Sequence, residues 1–285
     1  MILQHEIPQG GKLYFSKSAK LKRNIERSAS EVFYNNGFEE ILTPSFSFLQ
    51  HQQLFSDREI LRLSSENNQQ ISLRYDNTID TIRIITKRLM RSTGAKKWFY
   101  IQPVFSYPSN EIHQIGAECL EKESFNLLLE ISTQLFKIWG IQPHIQLSNT
   151  NIMQLCSQEL NLNPTEILNT QVDHLLKNPL LAQLLKIQTP QDLQNFIQEK
   201  APAFLKNELQ KLLESAKSIK YDNIIISIIQ DVPVNYYCDI TFRAFLQNIT
   251  LMLGGNYTIH NTPSCGFGIY TDNVLIILHN KENHG

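Results

Sequence analysis

The stretch WFYIQPVFSYPSNEIHQIGAECL, residues 98–120, carries most of the information about the fold of this 285-residue chain. Its two halves, WFYIQPVFSY and HQIGAECL, are runs of apolar, aromatic and β-branched residues, and such runs are typical of strands. The shorter runs QISLRY at 70–75 and PHIQLS at 143–148 have the same character. All four are predicted to be strands.

The segments around these strands show apolar residues at helical spacing. One helix is predicted through residues 21–33, and Gly37 follows where a C-terminal cap belongs. A second helix is predicted from about Asn77, a possible N-cap, towards Gly94. A third is predicted through residues 125–139. The first of these helices is expected to lie against the sheet.

From about residue 164 to residue 217 the composition changes, because Leu, Lys, Gln and Glu dominate. Prolines placed as in the first turn of a helix predict a cluster of short helices there. These prolines are Pro164, Pro179, Pro190 and Pro202. Strand patterns then return in NIIISIIQ, NYYCDITFRAF, LMLGGNYTIH, SCGFGIYT and NVLIILH, with short links that suit an antiparallel meander.

This order of elements predicts the α+β class, with an antiparallel sheet flanked by helices and interrupted by a helical insertion. The first part of the main domain is expected at 1–163, the helical insertion at 164–217, and the last part, made of antiparallel strands, at 218–285. The final strands must pair with strands already in place. The insertion is therefore expected to be a subdomain of one domain.

The charge balance argues against a polyanionic partner. Lys and Arg together number 26 against 27 acidic residues, which gives a formal net charge of -1. Binding to nucleic acid depends largely on a positive field, so nucleic acid is an unlikely partner.

The cysteines and the N-terminus indicate a reducing compartment. Cys119, Cys156, Cys238 and Cys265 lie far apart in sequence without a CxxC pair, which argues against a zinc site and a disulfide framework. They are expected to be small buried apolar residues. The N-terminus lacks the pattern of a signal peptide, and no window has the ~20 apolar residues of a membrane span. A cytoplasmic protein without a membrane segment is predicted.

Segments from residue 37 to residue 275 follow the order of the landmarks of class II aminoacyl-tRNA synthetases and resemble their histidyl group. GFEEILTPSF at 37–46 resembles motif 1, LRYDNT at 73–78 resembles LRPEGT, and 98–120 resembles motif 2 with its HQIGVE tail. VPVNYYCD at 232–239 resembles RGLDYYTG, GGNYT at 254–258 resembles GGRYD, and CGFGIYTDNVL at 265–275 resembles the motif 3 sequence GFAIGIERL. Pro44 matches a proline at the family's dimer interface, although an edge-strand proline would explain it equally.

The arginines of these motifs are absent. Adenylate formation builds charge on phosphate oxygens, and guanidinium groups bind these oxygens bidentately. The resemblance places Ser106, Val232 and Asn273 at the three lost catalytic arginine positions, and Asn256 at the arginine of GGRYD. Losing one donor to developing charge lowers the rate by about 10² to 10³-fold, so synthetase activity is not expected.

The residues that would hold the amino acid are retained. The resemblance implies that Asp76 and Thr78 contact an α-ammonium group, that Gln114 and Glu118 flank the amino group and an imidazole, and that tyrosines complete the pocket. The tyrosines are Tyr236, Tyr237 and Tyr257. A histidine pocket is the resulting prediction, with neither a cofactor nor a metal.

Two departures and one simpler interpretation accompany this prediction. Asp76 is one methylene shorter than the glutamate of LRPEGT, and Asn235 replaces the aspartate of RGLDYYTG. A decayed site could also retain tyrosines for packing alone. His113 is predicted to be a strand residue rather than a catalytic base.

The chain ends at Gly285, soon after motif 3, so no anticodon-binding domain is expected. The histidyl-synthetase-like family with this profile is that of the ATP phosphoribosyltransferase regulatory subunits. Membership would imply a non-catalytic chain, a dimeric core, a hetero-oligomer with a short-form catalytic subunit, and feedback by L-histidine on the first step of histidine biosynthesis. The alternatives are a free-standing pseudo-synthetase that binds tRNA or a protein, and an amino-acid ligase that would need ATP.

Overall fold

The computed structural model describes residues 6–52, 60–163, 167, 175–229, 236–259 and 261–284. Its strands are β1 (Glu39–Glu40), β2 (Phe46–Phe48), β3 (Arg62–Ser64), β4 (Gln70–Leu73), β5 (Lys97–Ser106), β6 (Asn110–Cys119), β7 (His144–Asn149), β8 (Ile224–Ile226), β9 (Tyr237–Leu246), β10 (Ile249–Ile259) and β11 (Thr262–Tyr270). Its helices are α1 (Ser16–Asn35), α2 (Leu49–Gln52), α3 (Asn77–Ile84), α4 (Phe125–Ile138), α5 (Thr150–Leu160), α6 (Pro179–Leu184), α7 (Pro190–Glu199), α8 (Lys206–Lys217) and α9 (Thr271–His284).

Within the described ranges, eight strands form the main sheet, in the order β1-β5-β6-β11-β10-β9-β7-β8. The six central strands are antiparallel, whereas β1 and β8 pair in parallel with β5 and β7 at the two edges. The last strands of the chain therefore lie between strands formed early, as predicted. The expected antiparallel sheet flanked by helices is confirmed, with two short parallel edges added.

One face of the main sheet is covered by α1, α4 and α9. The α1 helix buries Ile25, Ala29 and Phe33, and the Phe33 ring stacks on Phe99 of β5 with centroids 4.8 Å apart. These side chains belong to one continuous apolar core, whose burial contributes about 25 cal/mol per Å². Gly37 has φ +74, so it ends α1 as predicted.

The opposite face of the main sheet carries α3. Neighbouring residues of a strand point to opposite faces. On β6, Ala117 and Cys119 join the core beneath α1 and α4, so Glu118 points to the other face, where it meets Thr78 of α3. A separate antiparallel sheet, β2-β4-β3, lies beside this face, and the strand predicted at 70–75 belongs to it.

Two predicted details of the helices were wrong. The N-cap of α3 is Asp76, not Asn77, because the Asp76 carboxylate accepts the Ile79 backbone N–H at 2.8 Å. Pro202 lies in a turn before α8 rather than in the first turn of a helix. Pro179 and Pro190 do open their helices, and Pro164 lies outside the described residues.

The run NVLIILH was predicted to be a strand, but it lies in α9. Val274, Leu275 and Ile277 are buried and Ile276 is 46% exposed, which is helical rather than alternating spacing. An apolar run this short does not distinguish the two periods, and the error follows from that ambiguity. The part of the chain from 218 to 285 is therefore strands followed by a helix.

The insertion helices share the core of the main domain. Leu209 and Leu212 of α8 are fully buried in the same apolar cluster as Leu147 of β7. This packing agrees with a subdomain rather than an independent unit. The boundaries 1–163, 164–217 and 218–285 remain predictions, since only Ile167 is described between residues 164 and 174.

The four cysteines are free thiols, and three of them are buried while Cys238 is half-buried. Although they are distant in sequence, Cys119 and Cys265 face each other across β6 and β11. Among the described residues, no helix has the length and apolarity needed to cross a membrane.

Candidate functional site

Glu118 lies at the centre of a buried polar cluster. Its Oε1 accepts the hydroxyls of Thr78 at 2.7 Å and Tyr100 at 3.3 Å, and its Oε2 accepts the hydroxyl of Tyr257 at 2.5 Å. The carboxyl group is fully buried. Three hydroxyl donors from α3, β5 and β10 therefore replace the water that this group would bind in solution.

Two glycines make room for the cluster on neighbouring strands. A Cβ on Gly266 would lie 1.7 Å from Oε2 of Glu118, and a Cβ on Gly116 would lie 2.3 Å from the Tyr100 ring. Any side chain at either position would collide with the cluster. These glycines of HQIGAE and CGFGIY thus have a steric function at the site.

The pKa of Glu118 is raised from 4.5 to about 8, mainly by burial and also by the nearby Asp76, against the opposing effect of the Tyr257 and Thr78 hydroxyls. Burial also raises the pKa of Tyr100 and Tyr257 well above the ordinary value, as does the charge of Glu118. The cluster therefore holds a proton on Glu118 near neutral pH.

Asp76 has two roles in the same cluster. One carboxylate oxygen caps α3, and the other accepts the hydroxyl of Tyr236 at 3.4 Å. The ring of Tyr236 lies 5.0 Å from that of Tyr237 and 5.6 Å from that of Tyr257. The tyrosines thus form an aromatic wall beside the carboxyl groups.

Gln114 points to the same face of β6 as Glu118 and belongs to a row of side-chain amides. Its Oε1 accepts Nδ2 of Asn77 at 2.9 Å, and Oδ1 of Asn77 accepts Nε2 of Gln102 at 2.9 Å. Oε1 of Gln102 then accepts the backbone N–H of Thr43 at 3.1 Å. This amide row, defined as Gln114, Asn77 and Gln102, runs from β6 to the loop before β2, and Asn77 lies between Asp76 and Thr78 in the chain. Six of the seven residues predicted for the pocket are joined by hydrogen bonds or ring contacts, and Gln114 bonds to Asn77 beside them.

Arg74 fixes the far end of the amide row. The guanidinium group is buried and donates to the carbonyl oxygens of Thr43, Pro44 and Pro103 at 2.7 to 3.0 Å. It therefore holds the loop containing Thr43 and Pro44 against β5. Pro44 itself is exposed and lies between β1 and β2 rather than within a strand.

The lost arginine positions lie in a separate cavity. Ser106 and Asn273 line the same cavity of about 400 Å³. Among the described residues, the other charged groups that line it are Lys12, Glu111 and Asp272, so carboxylates outnumber the cation there. Such a cleft is poorly suited to a triphosphate, because phosphate oxygens require cationic or N–H donors. Val232 lies outside the described residues.

The sequence and the fold also match known proteins. The profile of the histidyl-tRNA synthetase family matches residues 14–274. A chain of Wolinella succinogenes called ATP phosphoribosyltransferase regulatory subunit is 49% identical over 284 residues, which cover 99% of both chains. A chain of Helicobacter hepaticus with the same name is 50% identical over 276 residues, or 96% of this chain and 98% of that one.

This chain belongs to the family of ATP phosphoribosyltransferase regulatory subunits. The crystal structure of an ATP phosphoribosyltransferase regulatory subunit/histidyl-tRNA synthetase from Bacillus halodurans superimposes with a TM-score of 0.83 at 16% identity, covering 96% of this chain and 83% of that one. At that identity the match shows the fold alone. The class II synthetase-like fold predicted for this regulatory-subunit chain is confirmed.

His113 lies in β6, as predicted. Its ring nitrogens lie 3.3 Å from Glu111 and 3.2 Å from Asp272, and its ring meets that of Tyr14 edge-on. Asp272 also accepts the His113 backbone N–H and the Tyr14 hydroxyl. Burial alone would raise the pKa of Asp272, but these hydrogen bonds outweigh it and the pKa is lowered. His113 thus connects β6, α9 and the segment before α1.

Sequence reasoning missed Tyr100, Asn77 and Gln102 in this family member. Tyr100 and Gln102 are two residues apart on β5, so both point to the face opposite Phe99. Gly116 of β6 pairs directly with Tyr100. A glycine facing an aromatic residue was a usable signal only after the register was known. Asn77 occupies the position of the glycine in LRPEGT, so the sequence already indicated an added side chain beside the pocket.

Proposed function

We propose that this chain is the non-catalytic regulatory subunit of an ATP phosphoribosyltransferase complex, with L-histidine as a feedback ligand at the cluster around Glu118. The single observation that supports this most is the contrast within one sheet. The buried polar cluster is complete, while Ser106 and Asn273 occupy the arginine positions of the other cavity. Catalysis would then lie in a short-form catalytic subunit.

The chemistry of the cluster suits histidine. Carboxylates of Asp76 and Glu118 can accept hydrogen bonds from an ammonium group and an imidazole N–H, and the tyrosines offer ring faces. Hydrogen bonds to charged groups contribute about 1.5 to 3 kcal/mol each, which suffices for micromolar affinity after ordering. Because Glu118 holds a proton up to about pH 8, a cationic ligand would displace it.

Feedback requires histidine to bind the active and inhibited complexes unequally, and the effect on the partner is then reciprocal. The amide row offers a physical connection, because it joins Gln114 to the loop at Thr43. Next to this loop Leu42, Phe46 and Phe48 are 72%, 57% and 46% exposed. We assign this apolar surface to self-association, which would give the dimeric core.

The test is co-expression with a short-form catalytic subunit and measurement of phosphoribosyltransferase activity with and without histidine. The complex is expected to be active and to be inhibited by histidine. Glu118→Gln should leave assembly intact and weaken the inhibition at least ~10-fold, since a charge-assisted bond is lost. Tyr34→Phe, which removes only an exposed hydroxyl bonded to Glu40, is the matched control.

Full activity of the catalytic subunit alone, unchanged by this chain, would contradict the proposal. Salt-dependent binding of tRNA in a filter assay would instead favour a pseudo-synthetase.

A further inference from the structure

A second concave surface lies at the N-terminal side of the chain, away from the cluster around Glu118. It is a groove of about 1000 Å³ between residues 12–24, which include the start of α1, and the first turns of α9. We call it the N-terminal groove. Nothing in the function proposed above uses it.

The N-terminal groove is unusually apolar for an exposed surface. Leu13 is 63% exposed, Phe15 is 70% exposed and Ile276 of α9 is 46% exposed, and all three line it. Single exposed apolar residues are common, but a contiguous set in a concave site marks a place where another molecule binds.

The groove is also positively charged, in a chain whose net charge is -1. Residues 7–25 contain five basic residues and no acidic one, and Lys12, Lys17 and Lys20 of this segment line the groove. In the described part of the chain, the carboxylate that also lines the groove is Asp272, which is already bound by Tyr14 and His113. The exposed part of the groove therefore combines apolar side chains with lysines.

We propose that the N-terminal groove docks an amphipathic segment of a protein partner, in which apolar side chains fill the groove and Asp or Glu side chains meet the three lysines. The proposal rests on the proposed function, under which the catalytic subunit supplies this segment. The apolar part argues for a protein rather than a nucleic acid, because phosphates would leave Leu13, Phe15 and Ile276 uncovered.

The experiment measures binding of the full chain to the catalytic subunit. Lys17→Glu/Lys20→Glu should weaken binding at least ~10-fold and reduce its salt dependence, because like charges then face each other. Phe15→Ser should weaken it at least ~10-fold by removing an apolar anchor. Phe15 is largely exposed and serine is favourable before a helix, so this variant should fold normally.

The matched control is Lys200→Glu/Lys206→Glu, which makes the same charge change at exposed lysines of the insertion. Its affinity should stay within about twofold of the wild type. Wild-type affinity in both groove variants would overturn this inference and leave the proposed function standing. Loss of self-association with unchanged partner binding would also overturn it, since the occupant would then be a second copy. If the wild type itself fails to bind, the proposed function is contradicted.

Discussion

The cluster around Glu118 and the cavity at Ser106 and Asn273 lie on the same sheet, yet their side chains differ in how they are hydrogen-bonded. In the cluster and the amide row beside it, residues from four elements are hydrogen-bonded: three hydroxyls to the Glu118 carboxyl group, and the amides to one another. In the cavity, Asn273 turns its amide away to the carbonyl of Thr250 at 2.7 Å. The buried carboxyl group of Glu118 needs all its hydrogen-bond partners at once, whereas Ser106 and Asn273 do not supply the cations of a phosphate site.

The difference has an energetic basis. Burying a carboxyl group is unfavourable unless its hydrogen bonds are replaced, so Glu118 depends on the hydroxyls around it and they depend on Glu118. In the cavity, Ser106, Glu111 and Asn273 are half-buried and carry no such dependence, whereas Asp272 is buried and hydrogen-bonded to Tyr14 and His113. Substitutions in the cluster should therefore have large effects, and substitutions of these three half-buried residues small ones.

The largest effect is expected for Glu118→Ala. It removes the acceptor of three buried hydroxyls and leaves a cavity, which should lower the free energy of unfolding by about 3 to 5 kcal/mol. Glu111→Ala, on the same strand at the half-buried cavity, should cost less than ~1 kcal/mol. Chemical denaturation measures both. Equal losses in the two variants would remove the contrast between the regions.

A smaller loss is expected when the amide row is interrupted. Gln102→Leu keeps most of the volume but leaves the Thr43 N–H and the Asn77 side-chain oxygen without their bonds. The free energy of unfolding should fall by about 2 to 3 kcal/mol, because buried polar groups then lack partners. Urea titration gives the value. A loss below ~0.5 kcal/mol would mean that the row carries little stability.

The proton on Glu118 predicts a pH dependence. The folded chain holds it to about pH 8, whereas an unfolded carboxyl releases it near 4.5. The folded state binds more protons between these values, so the contribution of this group is complete below 4.5 and falls as pH rises towards 8. The free energy of unfolding should fall by up to ~1.4 kcal/mol per pH unit because of this group, and Glu118→Gln should lack this dependence. The measurement is the denaturant midpoint of the wild type and of Glu118→Gln across this pH range. Curves that run parallel would refute the raised pKa.

The smallest effect is expected from restoring arginines to the cavity. Ser106→Arg/Asn273→Arg should change the free energy of unfolding by less than ~1 kcal/mol, because one hydrogen bond of a half-buried asparagine is lost. It should produce no ATP-dependent pyrophosphate release, since Val232 still stands at the third position. Turnover in this variant would show that the cavity retained the remaining requirements for catalysis.

Much of the fold could be predicted because its long strands and helices have clear periods. The cluster could be predicted because a resemblance assigned its residue types in order. The run at 273–279 was too short and too uniformly apolar to reveal its period, and α9 was missed for that reason. The edge strand β1 contains two residues, too few for any pattern, whereas β8 lies within the predicted run NIIISIIQ.

Interactions between distant elements could not be predicted. Whether Asp76 caps a helix depends on the residue at which α3 begins, and the amide row joins residues of α3, β5 and β6 that only the register brings together. The charge of the N-terminal groove could not be predicted from the net charge, because a total of -1 over the whole chain includes a basic segment of a dozen residues.

The hydrogen bonds of the amide row also run in one direction, and no single residue can reverse it. The main-chain N–H of Thr43 can only donate, so Gln102 must turn its oxygen towards it and its NH₂ towards Asn77. Asn77 must then turn its NH₂ towards the oxygen of Gln114. The last NH₂ of the row, on Gln114, consequently emerges as a donor. A main-chain group in a distant loop thus fixes the Gln114 amide so that its NH₂ can donate to an acceptor atom, while its oxygen keeps one lone pair for a donor.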